Sequence, residues 1–396
     1  MHLLFLSQVL PYPLDAGPKF RSYYVLRYLA QRHHITLVAF TRATDSPEAV
    51  EHLRQFCESV LPIPLQRSRT RDALDFTRSL LSNRPFLIAR DDLAAMDATL
   101  AQLTQANHFD AIHADQLSMA QYARRLPSMR RVFDAHNAMW LLVKRLAENS
   151  KSPLKRAVLE REARVMRNHE AVTCAEFDRV ITVTDEDRRA LTFDAPSPRA
   201  PLITIPICID PAESQPIRFN PNATDVICVG GMFYPPNVDG MVWFAREILP
   251  LVWAMHPNTR FYIVGGRPSA ELQALGKQEP RIVVTGYVPD VREYLSRAAA
   301  FVVPLRTGGG MRVKILDAWA WGLPIVSTTI GAEGIRVSPN ENLLLGDSPR
   351  EFAAAVIRLI QERSLAQRLA ENGRAWVAAQ YDWHLVYRAF DAIYSS

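Results

Sequence analysis

Cysteine is scarce. The 396 residues hold four, Cys57, Cys174, Cys208 and Cys228. Their spacing fits neither a metal motif nor a disulfide framework, so they read as buried or inert thiols of a reducing, cytoplasmic compartment. Long apolar runs are missing too. No stretch of about 18 apolar residues occurs, so no spanning helix is expected. The opening Met-His-Leu-Leu-Phe-Leu has no basic segment and is broken by Ser7, Gln8 and Pro11. It reads as a first strand rather than an export signal. Disorder is not indicated either, because 48% hydrophobic and 22% charged residues are an ordinary globular balance.

What is present suits two domains, since a chain this long exceeds one ordinary core. The net charge of +5 lies in the first half. Residues 1–200 carry 28 Lys and Arg against 23 Asp and Glu, and residues 201–396 carry 18 against 18. A mildly basic first half suits an anionic acceptor or the inner membrane surface, and equally a solvated Arg-rich exterior. No nucleic-acid partner is expected.

Short apolar runs alternate with amphipathic segments. Strands are expected at Leu3–Leu6, Ile35–Phe40, Ala111–His113, Arg131–Asp134 and Arg179–Val183, with helices near Pro18–Gln31 and Leu154–Cys174. The pattern restarts at Asp225–Val229, Phe261–Val264, Ile282–Val284, Ala300–Val303 and Ile325–Ser327, with helices near Gly240–Leu249 and Met311–Trp321. Such alternation implies parallel sheets covered on both faces. The prolines from Pro196 to Pro221 mark an interdomain linker. Amphipathic helices follow at Arg350–Glu362 and Leu365–Gln380.

Arg306-Thr307-Gly308-Gly309-Gly310-Met311-Arg312-Val313-Lys314 lies between a strand and a helix. Glycines admit close backbone approach, the helix start offers free N–H groups, and Arg306, Arg312 and Lys314 add positive charge. That is a diphosphate cradle, or else a Gly-rich turn with exposed cations. Asp317 follows on a mostly apolar helix, where a carboxylate must be paired or reach a ligand. Gly230-Gly231 opens another strand–helix junction, and Gly265-Gly266-Arg267 ends a further strand. In the first half, His113, Asp115, Asp134, His136 and Asn137 gather at two strand ends, and Asp15-Ala16-Gly17 follows the first strand. Strand ends at one edge are where open α/β sheets bind ligands. Arg67-Ser68-Arg69-Thr70-Arg71, followed by Leu74, Phe76, Leu80 and Leu81, is a basic amphipathic stretch that suits a membrane surface or a solvated helix.

Taken together these residues resemble glycosyltransferase family 4. The resemblance runs from Pro11–Gly17 through Asp178–Thr184, Pro206–Asp210 and Gly286-Tyr287-Val288-Pro289-Asp290 to Gly331–Gly334 and Tyr381-Asp382-Trp383. Its most specific block is Arg312–Ala320 with Gly322–Ser327. It implies a GT-B fold: two Rossmann-like domains whose parallel sheets face across a cleft that closes over the substrates. The first domain (1–205) would bind the acceptor. A linker (206–224) would lead to the nucleotide-sugar domain (225–380), and 381–396 would form a helix crossing back to the first. It further implies retaining transfer from a nucleotide sugar to a glycan or lipid-linked acceptor in surface polysaccharide synthesis, without metal or cofactor. His113, Asp115 and His136 are the candidate catalytic residues. Gly17, Gly230, Gly231, Arg267, Val288, Arg306, Gly309, Gly310, Met311, Arg312, Lys314 and Asp317 are the candidate donor contacts.

This chain departs from the family pattern. Two glutamates are usual where Gly309 and Asp317 stand. The usual Arg and Lys after the first strand of the second domain align with Gly231 and Asn237. Arg306, Arg312 and Lys314, with Arg267, are expected to replace that charge. Two rivals follow: an epimerase of the same fold, recognised by turnover without acceptor, and a non-catalytic binding protein, recognised by donor binding without turnover.

Overall fold

The computed structural model describes residues 1–14, 17–126, 129–150, 152–192 and 201–395. Asp15, Ala16, Pro196 and Pro198 therefore lie outside the described residues. The chain divides into two α/β units, Met1–Ile207 with Val386–Ser396, and Cys208–Leu385.

The first unit is built on β1 (His2–Ser7), β2 (His34–Thr41), β3 (Ser59–Pro64), β4 (Ala111–Asp115), β5 (Arg130–Ala135), β6 (Arg179–Thr182) and β7 (Ile203–Thr204). They form one seven-stranded sheet in the order β3-β2-β1-β4-β5-β6-β7, parallel throughout. Leu3 to Leu6 are all fully buried, as expected of a parallel strand with helices on both faces. The order reverses direction between β1 and β4, so the loops after these two strands diverge and leave a crevice at their carboxyl ends.

The second unit repeats the plan with β8 (Asp225–Val229), β9 (Phe261–Val264), β10 (Ile282–Gly286), β11 (Ala298–Val303), β12 (Ile325–Ser327) and β13 (Leu344–Leu345). Their order is β10-β9-β8-β11-β12-β13, again parallel. Here the reversal falls between β8 and β11. Each unit has its own apolar core, around Phe40, Ile112, Phe133 and Phe177 in the first and Phe244, Phe261, Val302 and Phe352 in the second. All four cysteines are buried and none forms a disulfide, and burial pushes the Cys57 thiol up to about 12.

Local signals explain several helix starts. Ser152 caps Pro153–Glu176 by accepting from the Lys155 N–H, and Ser348 with Glu351 forms a capping box on Pro349–Gln361. Several elements were not expected, β3 among them, and one helix starts elsewhere than expected. Strand β3 contains Pro62 and Pro64, residues that a paired strand normally excludes. It is tolerated because β3 is a sheet edge with no partner needing those amides. The helix expected from Gly240 instead starts at Pro235 and passes through a π-helical turn, Phe244–Ile248, into Leu249–Met255. Pro235 and Pro236 suit a first turn. Pro250 has no N–H and would crowd the carbonyl four residues back, which the wider π turn relieves.

Candidate active site

At the reversal point of the second unit, the loops after β8 and β11 are joined by side chains. The Asn237 amide donates to the Gly231 carbonyl at 2.9 Å. Lys314, on helix Val313–Ala320, donates from Nζ to Asn237 Oδ1 at 2.9 Å. A Cβ on Gly230 would stand 2.9 Å from that Nζ, so glycine leaves the ammonium room against the backbone. The next strand completes the edge. Gly265 has φ +155° and a Cβ there would meet the Gly230 carbonyl at 1.7 Å. Gly265 N–H donates to the Gly286 carbonyl at 3.1 Å and Met232 N–H to Gly266 at 3.2 Å. The ends of β10, β9, β8 and β11 thus form one strip of backbone, with the partly buried Val288 at its β10 end. Burial, with Arg312 nearby, holds the Lys314 ammonium below its ordinary pKa. Burial pushes Asp317 up to about 7, against the pull of the Lys314 charge.

The four cations expected to replace the missing charge do not act alike. Lys314 alone stands beside Asn237, the position where the family pattern has its lysine. The buried Arg312 is folded back on its own loop, donating from Nη1 to the carbonyls of Gly309 and Gly310, the latter at 2.6 Å. It shapes the glycine loop, whose members Gly309 and Gly310 are partly buried beside the buried Met311. Arg306 is bound to Asp239 at 2.6 Å on the surface. Arg267 lies over the Phe233 ring, 3.7 Å from its centroid. All four are thus engaged by the protein, but only Lys314 is held by the amide side chain of the neighbouring loop.

In the first unit the strand-end residues come together in a closed network. Arg21 is fully buried on helix Gly17–Ala30 and ion-pairs with the equally buried Asp134 at 3.0 Å, while Nη1 donates to the Pro206 carbonyl at 2.9 Å. Asp115 Oδ2 accepts from Ser22 Oγ at 2.6 Å and Ser7 Oγ at 3.0 Å. Its Oδ1 lies 2.8 Å from His136 Nε2. Burial alone would raise the Asp115 pKa, but His136, His113 and the Ser22 hydrogen bond outweigh it and hold the carboxyl below its ordinary value. His136 therefore donates from Nε2 to a carboxylate. His113 stacks on Phe5 with ring centroids 4.4 Å apart and bonds through Nδ1 to Tyr394 Oη at 2.6 Å. Burial lowers its pKa to about 4, so it is neutral at physiological pH.

His113 and Asp115 are both at 0% exposure. As described, neither reaches the surface; of the three candidate catalytic residues only His136 lies at the rim, at 6%. Its loop is held from behind, where Asp187 accepts from the Ala138 N–H and Glu170 from those of Met139 and Trp140, each at 2.8 Å. Burial pushes Glu170 up to about 8. His113, Asp115 and Asp134 have ligand atoms within 4.8 Å of one another, close enough to share a cation. Asp134 is already paired with Arg21, and Asp115 is already hydrogen-bonded to Ser7, Ser22 and His136. Gly17 is partly buried at the start of its helix.

The sequence reading missed Arg21, Ser7, Ser22 and Tyr394, and read Asn237 only as a lost cation. A signal existed for Arg21. It shares a face with Val25 and Tyr28 of an apolar, tyrosine-rich helix, and a cation on such a face needs a buried partner.

Comparison with known proteins agrees with this architecture. Residues 21–213 match the family model described as Glycosyltransferase Family 4, and residues 223–362 match that described as Glycosyl transferases group 1. An uncharacterised protein of the cps region of Klebsiella pneumoniae is 20% identical over 395 residues, covering 96% of each chain. A GDP-mannose-dependent phosphatidylinositol monomannoside mannosyltransferase of Mycobacterium tuberculosis is 28% identical over 40% of this chain and 44% of its own. Among solved structures, sucrose-phosphate synthase of Thermosynechococcus elongatus superposes with a TM-score of 0.73 at 19% identity, covering 100% of this chain and 98% of its own. HepE of Anabaena, solved with UDP and glucose, gives 0.66 at 16%, covering 100% and 99%.

Proposed function

The chain belongs to glycosyltransferase family 4, with the GT-B fold, and from that premise we propose that it moves a sugar from a nucleotide-sugar donor to a glycan or lipid-linked acceptor, with retention, in surface polysaccharide synthesis. One observation carries the donor half of this reading. Lys314 is held against Gly230 and Asn237 at the reversal point of the second unit. The family's lysine is absent from position 237, and an ammonium from another helix occupies its place.

The chemistry asks little more of that edge. As the donor's diphosphate leaves, its growing negative charge meets Lys314 and the N–H groups of the glycine loop, fixed donors that need no reorganisation. Asp317, poised near neutrality, serves ribose hydroxyls as acceptor or donor of a hydrogen bond. In the first unit, Asp115 orients His136 toward the sugar or the acceptor hydroxyl, and His113 acts behind it as a positioning residue. The acceptor attacks from the face the leaving group occupies, and a donor phosphate oxygen takes its proton. HepE, solved with UDP-glucose, and the mycobacterial enzyme, named as GDP-mannose-dependent, support a nucleotide-sugar donor without choosing the base. The cps-region relative supports a surface-glycan role.

The test is thermal stabilisation against a panel of UDP-, GDP- and ADP-sugars, since a ligand bound to the native state raises the melting temperature. A shift with one nucleotide family, lost in Lys314→Met and Asp317→Ala, is expected. No shift with any member sinks the donor assignment. The anomeric configuration of the product, read by NMR, decides retention.

A further inference from the structure

The amino end of the first sheet brings two imidazoles and a carboxylate together. His2 opens β1 and His34 opens β2, and the parallel register sets these two residues side by side. Neighbours in register point to the same face of a sheet, and their rings lie 5.0 Å apart between centroids. Glu58 immediately precedes β3, and its Oε2 stands 3.4 Å from His34 Nδ1. Ligand atoms of the three side chains all lie within 4.8 Å of one another. The cluster sits at the opposite end of β1 from Ser7, about 16 Å away at the usual rise per residue.

Backbone hydrogen bonds fix the triangle from behind. The His2 N–H donates to Asp110 Oδ2 at 2.7 Å, and its carbonyl accepts from the Asp110 N–H at 2.9 Å. The His34 N–H donates to the Met1 carbonyl at 3.0 Å, and the Glu58 N–H to the Ile35 carbonyl at 2.9 Å. The sheet thus sets the three Cα positions, while the side chains are exposed and open to an ion. The His34–Glu58 pair has side chains 69% and 54% exposed, so little is lost when it opens for a stronger partner.

Two imidazoles and one carboxylate are a donor set for Zn²⁺, which accepts three protein ligands with water in the fourth tetrahedral position. At bond lengths of about 2.0–2.1 Å, ligand atoms of a tetrahedron stand about 3.3–3.4 Å apart. Glu58 and His34 already hold that separation. Ca²⁺ and Mg²⁺ take oxygen ligands, so the two imidazoles select against them.

We propose that His2, His34 and Glu58 hold one Zn²⁺ ion, a clip across the starts of β1, β2 and β3 that steadies the first unit and takes no part in the transfer chemistry. The three ligands are distant in the chain, and only the folded sheet unites them. The ion therefore binds the native state in preference to the unfolded one and stabilises it.

The experiment titrates the untagged protein with Zn²⁺ alone, by calorimetry and by melting temperature, with His34→Ala, Glu58→Gln and His108→Gln in parallel. One ion per chain and a raised melting temperature are expected of the wild type. Loss of an outer partner of a ligand commonly weakens a metal site about 10–100-fold. His34→Ala removes a ligand outright, so it should weaken Zn²⁺ at least about tenfold and abolish the thermal gain. Glu58→Gln keeps the shape, removes the charge and should act in the same direction. His108, exposed and outside the set, should be dispensable. No Zn²⁺ uptake by the wild type, or equal uptake by His34→Ala and Glu58→Gln, overturns the proposal. A loss shared by His108→Gln also overturns it, by marking the uptake as general surface-histidine binding. The nucleotide-sugar thermal shift should survive in all three variants. Its loss in His34→Ala would overturn the placing of the ion outside the transfer chemistry.

Discussion

The two units use one sheet plan for opposite purposes. At the reversal point of the first, Arg21, Asp134, Asp115, His113 and His136 satisfy one another in a buried network. At that of the second, glycines strip the edge to backbone and Lys314 rests on an amide side chain. The first spends its charges on holding its own geometry. The second keeps one ammonium where a phosphate could compete for it. A buried ion pair that is already satisfied contributes rigidity, whereas a cation hydrogen-bonded to a neutral amide retains attraction for an anion.

The sharpest way to break this comparison is Arg21→Met. It leaves Asp134 buried without its cation, which is expected to cost roughly 3–5 kcal/mol. Urea denaturation reads it, and a loss under about 1 kcal/mol would mean the network is not what holds this edge. Next comes Lys314→Met. Stability should hardly change, because burial already opposes the ammonium. Donor affinity should fall by about 2 kcal/mol, roughly 30-fold, the worth of a hydrogen bond to a charged group. Adding Asn237→Lys should restore much of it. Failure of that rescue in nucleotide-sugar titrations would show that the position of the charge is not interchangeable.

A pH series sharpens the contrast further. The folded pKa of His113, about 4, lies below its ordinary 6.5. Its share of stability is full above 6.5 and is lost as pH falls toward 4. His113→Asn should flatten that acid arm relative to wild type. Asp317, at about 7 against an ordinary 3.8, behaves in the opposite sense. Its share is full below 3.8 and is lost as pH rises through 7, so Asp317→Asn should remove a loss on the neutral side. Denaturation midpoints between pH 4 and 8 read both, and parallel curves for variant and wild type would refute either burial argument. The smallest effect belongs to Arg306→Gln. Its pair with Asp239 has side chains 45% and 43% exposed and should be worth under about 1 kcal/mol. Donor affinity should stay within about threefold, and a larger fall would show that Arg306 leaves Asp239 for the ligand.

Much of the architecture was written in local chemistry. Runs such as Leu3–Leu6 and Phe261–Val264 are apolar enough to be strands only in a sheet covered on both sides, and Ser152 and Ser348 announce helices by hydrogen bonds a few residues long. The strand–glycine–helix junctions marked the carboxyl edge of the second sheet, because a parallel strand followed by a helix must turn there. Strand β3 escaped notice because its prolines are tolerable only at an edge, and an edge is a property of the assembled sheet. Which cation stands at the proposed donor edge was equally out of reach. Arg306, Arg312 and Lys314 are neighbours in the chain, but Asp239, the loop carbonyls and Asn237 divide them, and those partners are set by where β8 and β11 lie side by side. The sequence by itself determined that there would be two parallel α/β units, the second with a glycine-lined edge, because periodicity, capping and turn chemistry act over a few residues. Only the tertiary structure decided which charges are buried, paired or poised, because pairing and desolvation depend on distances between residues far apart in the chain.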